Sequence, residues 1–574
     1  MISKWNYHTL TSEEEELCDR LSSELGLSRS IASLLIQRGI KTPEAAKKYF
    51  RPQLSDLHDP FLMKDMDKAV KRLNQAIGRK ENILIYGDYD VDGTTAVALV
   101  YRFLRNFYNH LDYYIPDRYD DGYGISTKGV EYAIDNNITL VIALDCGIKA
   151  IEKVALAKEH GIDFIICDHH MPDDELPDAV AILDPKRVDA TYPYSHLSGC
   201  GVGFKFMQGF AINNNLDISA LLFPMLDLVA VSIASDIVPI TGENRILAFH
   251  GLRQINSNAC LGLQSIIDLC GLKGKEITIS DIVFKIGPRI NASGRMMCGK
   301  EAVDLLIARD KHTAKKKCIS INLYNEERKE LDKKITEEAN NIIKDIQDFD
   351  NQKSVVIFHP TWHKGVIGIV ASRLTELYYK PAVVLTLSNG YATGSARSIQ
   401  GFDVYKAIES CRDIIENFGG HTYAAGLSLK EENIPQFIER FENYVAENIL
   451  KEQTVPQHDI DICINFKDIT PKFFRVLKQL NPFGPGNSKP VFCTHRVYDY
   501  GTSRLVGREQ EHIKLELVDS NSENIMNGIA FGMSEHNDYI KELNPFDICY
   551  TIEENTYNGN SSIQLLIKDI RPSK

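Results

Sequence analysis

A chain of 574 residues exceeds the ~150 residues of a typical domain, so three or four domains are expected. Its 44% hydrophobic and 25% charged content is that of an ordinary globular protein, long enough to bury several cores without disulfide or zinc staples. The net charge of −13 excludes a uniformly basic nucleic-acid binder but allows a local basic groove, because salt screens distant acidic surface beyond ~8 Å.

The opening MISKWNYHTLTSEEEEL lacks the apolar core of a secretory signal. The apolar stretch LLFPMLDLVAVSIA is broken by Pro224 and Asp227 and falls short of the ~18 residues of a membrane span. Twelve cysteines occur without a C-x-x-C pair, and Cys146 and Cys167 sit in strand-like apolar runs. They read as buried thiols kept reduced in a cytoplasm, not as zinc ligands.

Residues 1–80 read as a helical segment, with SRSIASLLIQRGI and TPEAAKKYF amphipathic and the latter opened by Thr42 and Pro43. Over 81–305 the pattern becomes strand, loop, helix: NILIYG, LDYYIP, LVIALD, DFIICD and AVAILDP alternate with helical runs, then mostly helix follows. Short apolar strands between amphipathic helices predict a doubly wound parallel sheet covered on both faces. Residues 306–350 are charged and read as one long helix across 308–347, a bridge between domains. A smaller α/β domain is expected over 351–455 and, from alternating short strands such as HIKLELVD and FDICYTIEE, a small barrel or sandwich over 456–574.

Ligands of open α/β sheets gather at the carboxyl ends of strands. There the chain offers Asp88, Asp90 and Asp92 in GDYDVDG, Asp145 in ALDCG, and Asp168, His169 and His170 in CDHH, with Asp236 after an apolar helix in ASDIVP. The D-x-D-x-D-G string imitates an EF-hand loop but has Leu99 where that loop needs Glu. A lone strand-end Asp is usually a helix cap. Such a set at successive strand ends suits Mn²⁺ or Mg²⁺, and several carboxylates can hold two ions ~3.5–4 Å apart for phosphoryl transfer.

GDYDVDG, ALDCG, DHH and ASDIVP, in this order, resemble the motifs of the DHH phosphoesterase family, and YGDYDVDG with GYGIS downstream resembles its RecJ branch. The resemblance covers roughly residues 50–574. It implies Asp90, Asp92, Asp145, His169 and Asp236 as metal ligands with Asp88 in the same loop, His170 beside the scissile phosphate, and Asp168 orienting a histidine. RINASGR resembles the fifth motif, which gives Arg289 and Arg295 catalytic roles toward phosphate oxygens. WHKGVIGIVASRL, ATGSARS and FGGHTYAAG resemble the DHHA1 domain, implying that Ser395, Arg397 and Ser398 grip a 5′ phosphate in a cleft lined by His363, Arg373, Gly419, Gly420 and His421. LNPFGPGNSKPVF resembles the junction to an OB-fold, where Tyr498, Tyr500 and Arg504 are candidate strand contacts, although core aromatics are the commoner reading.

The family so implied contains metal-dependent 5′→3′ exonucleases of single-stranded DNA, active in repair and recombination and releasing 5′-mononucleotides. A RecQ-type helicase and single-strand-binding protein are the implied partners, and the chain is expected to be a cytoplasmic monomer. Small-nucleotide phosphodiesterases and non-catalytic single-strand-binding scaffolds of the family are the alternatives. The first usually lack the barrel and long helix, and the second have lost metal ligands present here.

Overall fold

The computed structural model describes residues 3–557 and 560–573. Contacts divide the chain into two units. One comprises His58–Val238 and His250–Pro456; the other comprises the N-terminal residues to Leu57, Pro239–Phe249, and Gln457 onward.

The N-terminal residues form strand β1 (Lys4–Tyr7) and the helices Ser12–Leu25, Arg29–Gln37 and Pro43–Phe50. Thr42 accepts the Ala45 N–H with Pro43 in the first turn, as that sequence implies. These helices pack on the C-terminal barrel: Ile31, Leu34, Leu35 and Ala46 share a core with Phe492, Leu515 and Ile548.

The first α/β domain is built on β2 (Asn82–Gly87), β3 (Leu111–Tyr114), β4 (Ile138–Leu144), β5 (Asp163–Cys167) and β6 (Ala181–Leu183). They form a wholly parallel sheet in the order β3-β2-β4-β5-β6. On one face Leu84, Tyr86, Val141 and Ile166 pack with Val130, Ala133, Val154 and Ala157 of the covering helices. On the other lie the helices Val91–Leu104 and Gly199–Asn213, which meet near Leu144. The strand order reverses between β2 and β4, which opens the crevice where such sheets bind ligands. Ile218–Ser235 is apolar enough by composition to cross a membrane, yet 61% of it is buried inside the protein. Its Asp227 is buried and accepts the Leu228 and Cys260 N–H groups.

The helix Lys311–Lys344 is slightly shorter than the charged run suggests, capped by Asp310 on Thr313 N. Ala314, Cys318, Ile321, Ile335, Ala339 and Ile343 form its buried stripe at helical spacing. The second α/β domain holds β7 (Val355–Phe358), β8 (Ala382–Ser388), β9 (Tyr391–Arg397), β10 (Ile415–His421) and β11 (Ala424–Leu429), ordered β10-β11-β9-β8-β7. Only β7 and β8 pair in parallel.

The second unit contains β12 (Gln457–Ile460), β13 (Ile462–Cys463), β14 (Phe492–Asp499), β15 (Arg504–Val506), β16 (His512–Asp519), β17 (Ser522–Ala530), β18 (Phe546–Tyr557) and β19 (Asn560–Pro572). The pairings β14-β18-β19-β17-β16 and back to β14 close a five-stranded barrel. The strict alternation of buried and half-buried residues along β16 points Ile513, Leu515 and Leu517 inward. β1 adds to β12 in parallel register, Lys4 opposite Gln457. The core reading of the barrel aromatics fails at Tyr500, which lies just past β14 and is 55% exposed; Tyr498 is half-buried and Arg504 exposed.

Candidate active site

The carboxyl ends of β2, β4 and β5 deliver their acidic residues to one place. The turn after β2 is tight: a Cβ on Gly93 would lie 2.4 Å from the Asp88 carbonyl oxygen, so only glycine allows the chain to fold back into the helix Val91–Leu104. Asp90 caps that helix, accepting Gly93 N–H at 3.0 Å. Asp92 accepts the Gly199 and Cys200 N–H groups and the Ser232 hydroxyl, each at 2.7 Å, which fixes its rotamer. Asp145 follows β4 with φ +58°, a conformation costly for a non-glycine residue and concentrated at functional sites.

Three carboxylates surround one imidazole. His169 Nε2 lies 3.1 Å from Asp145 Oδ1 and 3.6 Å from both Asp92 Oδ2 and Asp236 Oδ2. Two trios with ligating atoms within 4.8 Å, Asp92–His169–Asp236 and Asp145–His169–His170, share His169. Asp88 is buried, with Oδ1 3.4 Å from Gly124 N, and neither it nor Asp90 belongs to a trio.

The electrostatics are those of a cation site. Burial and then Asp90 push Asp92 up to about 6. Burial and then Asp92 push Asp236 up to about 8. Asp145 rises well above the usual carboxylate range through burial and then Asp92, and Asp88 does so through burial and then Asp90. Burial, then His170, lowers His169 to about 3, which keeps it a neutral lone-pair donor. Both oxygens of Asp145, Oδ2 of Asp88 and Nε2 of His169 are buried without a hydrogen-bond partner. Carboxylates crowded together with unpartnered buried oxygens fit a divalent cation, and the oxygen and imidazole nitrogen donors suit Mn²⁺ or Mg²⁺.

Asp168 is positioned as a support. Its Oδ1 takes His170 Nδ1 and the His169 N–H, both at 2.7 Å, and its Oδ2 the Ile148 N–H at 3.0 Å. Burial opposes ionisation of Asp168, but the His170 hydrogen bond and charge outweigh it and hold the carboxyl below its ordinary range. Burial lowers His170, yet Asp168 prevails and raises it to about 9. His170 Nε2 reaches the Tyr123 hydroxyl at 3.1 Å.

A second group lies where the two α/β domains touch. Arg295 Nη1 donates to Gly365 O at 2.9 Å, and the Tyr119 hydroxyl joins Arg295 O at 2.6 Å to His363 Nε2 at 3.3 Å. Gly365 is obligatory here, since its Cβ would stand 2.5 Å from Arg295 O. Burial and then the cations Arg118, Arg328 and Arg397 depress Arg295 to about 9, the mark of a concentrated positive patch. Sheet register aligns Ser395 with Gly426 and Gly419, and Arg397 with Ala424 and His421. Arg397 Nη1 is braced by Ser395 Oγ at 3.0 Å and Ala396 O at 2.7 Å. Ser398 Oγ bonds Phe402 O. Gly420 lies between Gly419 and His421, and His421 is lowered by burial and then by His170, so this strand end approaches the carboxylate cluster.

Two expected residues have partners outside these two groups. Arg373 forms a bidentate bond with buried Asp332 of the long helix, at 2.8 and 2.7 Å. Arg289 bonds Lys285 O and Asn322 Oδ1. Conversely, Tyr123, Arg118 and Arg328 belong to the site's surroundings without having been singled out. GYGIS marked the loop of Tyr123, but nothing in the long helix distinguishes Arg328 from its charged neighbours.

Comparison with known proteins agrees with this layout. Residues 82–233 match the DHH family, N-terminal domain; 351–447 match the DHHA1 domain; 460–569 match the RecJ OB domain. The chain is 35% identical over 578 residues to the single-stranded-DNA-specific exonuclease RecJ of Bacillus subtilis, covering 100% of this chain and 72% of that protein. It is 31% identical to the protein of that name from Escherichia coli, covering 94% and 95%. The structure of RecJ with Mn²⁺ from Thermus thermophilus superposes with a TM-score of 0.84 at 24% identity, over 100% of this chain and 80% of that one. A manganese-bound exonuclease RecJ structure matches at 28% identity with a TM-score of 0.59, over 70% and 98%. From its domain order and from identity along its full length, the chain belongs to the RecJ family of single-stranded-DNA-specific exonucleases.

Proposed function

We propose that this protein is a cytoplasmic, metal-dependent exonuclease that degrades single-stranded DNA from its 5′ end to 5′-mononucleotides in repair and recombination. The observation that carries the reading is the convergence of buried Asp92 and Asp145 and half-buried Asp236 on His169, with both Asp145 oxygens lacking a hydrogen-bond partner. Mn²⁺- and Mg²⁺-bound RecJ structures support a divalent cation here, and the two trios sharing His169 support two of them. Such cations supply an ionised water at neutral pH and offset charge on the phosphate oxygens.

The chain's own residues do the rest. Asp90 joins the ligand set from its cap position, and Asp88 holds the turn against Gly124. Asp168 fixes the His170 ring so that Nε2 faces Tyr123 and donates toward the scissile phosphate. Arg397 and Ser395 grip a 5′ phosphate, with Ser398, His363, Gly419, Gly420 and His421 around it and Arg295 behind. Arg289 acts toward phosphate oxygens and Arg373 lines the cleft, each also bonded to the long helix. Fixing the strand's end at one distance from the carboxylates makes cleavage stepwise, one nucleotide per cycle. A helicase of the RecQ type and single-strand-binding protein are the expected partners of a monomer.

The test is a Mn²⁺ nuclease assay on 5′-phosphorylated single strands beside duplex DNA, cyclic dinucleotides and a dinucleotide. Stepwise mononucleotide release from the long strand, lost in Asp145→Ala, is expected. Turnover of small substrates alone, or of none, overturns the reading.

A further inference from the structure

We propose that Cys463, Cys493 and His495 form a binding site for one zinc-type cation on the outer side of the C-terminal barrel. The three residues come from segments thirty positions apart, so no sequence motif announces them. β13 and β14 pair in parallel with Cys463 directly opposite Cys493. His495 is two residues beyond Cys493, on the same face of β14. That face is outward: Phe492 belongs to the barrel core, whereas Cys493 packs with Trp5, Ile460 and Cys549 in a separate cluster.

The distances fit a metal. His495 Nε2 lies 3.6 Å from Cys493 Sγ and 3.8 Å from Cys463 Sγ, and the three donor atoms lie within 4.8 Å of one another. A tetrahedral zinc with bonds of ~2.3 Å to sulfur and ~2.0 Å to nitrogen separates such donors by ~3.6 Å. The imidazole is already held: Nδ1 meets Asp547 Oδ2 at 2.9 Å, which leaves Nε2 as the nitrogen for a cation, the carboxylate–histidine arrangement found behind metal ligands, while Cys493 Sγ lies 3.9 Å from Nδ1. Asp547 is itself held by the Arg496 N–H at 2.9 Å and by the Ser573 hydroxyl. A bulge between Thr494 and Val497, with Arg496 at φ +52°, brings that N–H to Asp547.

Two sulfurs and a nitrogen select a softer cation than the carboxylates of the α/β domain do. Three protein donors leave a fourth position for water. Tyr7 borders the cluster, its ring 6.2 Å from that of His495 and its hydroxyl bonded to Cys493, so the cation would lie beside β1 while tying β13 to β14. Binding displaces the two thiol protons, and no electron transfer is involved.

The test uses the full-length protein, reduced, stripped with chelator and titrated with Co²⁺. A near-ultraviolet thiolate-to-cobalt absorption is expected, saturating at one equivalent per chain and abolished by Zn²⁺. The carboxylate site contains no thiolate and cannot produce it. Cys463 is exposed, so Cys463→Ser keeps the fold by circular dichroism and loses the band. Asp547→Asn keeps the band but weakens Zn²⁺ binding roughly 10–100-fold. Absence of the band, a band indifferent to Cys463→Ser, or a Cys463–Cys493 disulfide found by mass spectrometry in the freshly isolated protein overturns the proposal.

Discussion

Replacing Arg397 with Met tests the grip on the 5′ end. Arg397 Nη1 is committed to Ser395 Oγ and Ala396 O, leaving Nη2 and Nε for a ligand. Two charge-assisted hydrogen bonds to a phosphate, each worth ~1.5 kcal/mol net, give ~3 kcal/mol. That corresponds to roughly 150-fold in affinity. The guanidinium is preorganised by β9, so little of this is offset by ordering. Initial rates on a 5′-phosphorylated strand and its 5′-hydroxyl twin, with Mn²⁺ saturating, separate KM from kcat. The wild type should favour the phosphorylated strand by about two orders of magnitude in kcat/KM. In Arg397→Met the preference should collapse to within a few-fold, mainly through KM, because the 5′-hydroxyl rate barely changes. A variant that keeps the full preference refutes the assignment. An equal loss on both substrates would mean that Arg397 supports the sheet and not the phosphate.

Asp145→Asn should remove at least ~10³-fold of Mn²⁺-dependent turnover, since the site loses a ligand and cation charge stabilisation. The same variant should lose the rise in thermal midpoint that Mn²⁺ gives the wild type, read by differential scanning fluorimetry with and without EDTA. Tyr123→Phe should lower kcat about tenfold with KM unchanged, the value of one hydrogen bond to His170. Arg72→Met tests a buried ion pair outside the site: Arg72 holds Glu81 and Asp163, both at 2.6 Å, and its side chain is 9% exposed. The loss should be ~3 kcal/mol at pH 7, reckoned mainly on Glu81 because Asp163 is 41% exposed and screened. Burial opposes ionisation of Glu81, but Arg72 wins and depresses its pKa. A depressed carboxylate stabilises above its unfolded pKa, so urea denaturation should show the wild-type advantage shrinking as pH falls through the carboxylate range; an advantage constant with pH contradicts this.

Much of the site was legible because its signals are local. Each acidic cluster follows a run of apolar residues that can only be a strand, and strand ends in a parallel sheet share one edge. Asp168 as the partner of a histidine was implied by the family resemblance, and its bond to His170 Nδ1 agrees with that. What escaped depends on pairings distant in sequence. The pairing of Arg373 with Asp332, forty-one positions away, has no local sequence signal. β1 was hidden in a segment of helical periodicity because its partner, β12, lies at the far end of the chain. Tyr500, for which a core place was the commoner reading, lies one residue past the end of β14 and is exposed. The thiols were judged by the absence of C-x-x-C, a test that sees only ligands on one turn and not across two strands.

The pairing of Lys4 with Gln457 also sets a timetable. A ribosome adding ~5–20 residues per second takes roughly 20 to 90 seconds between those positions. The inserted unit, His58–Val238 with His250–Pro456, can fold during that interval. The apolar faces of the first helices, with Ile31, Leu34 and Leu35, cannot, because the barrel strands that bury them have not been made. Those faces are therefore open to chaperones throughout elongation, and a nascent chain stalled before residue 457 should present them still unpaired.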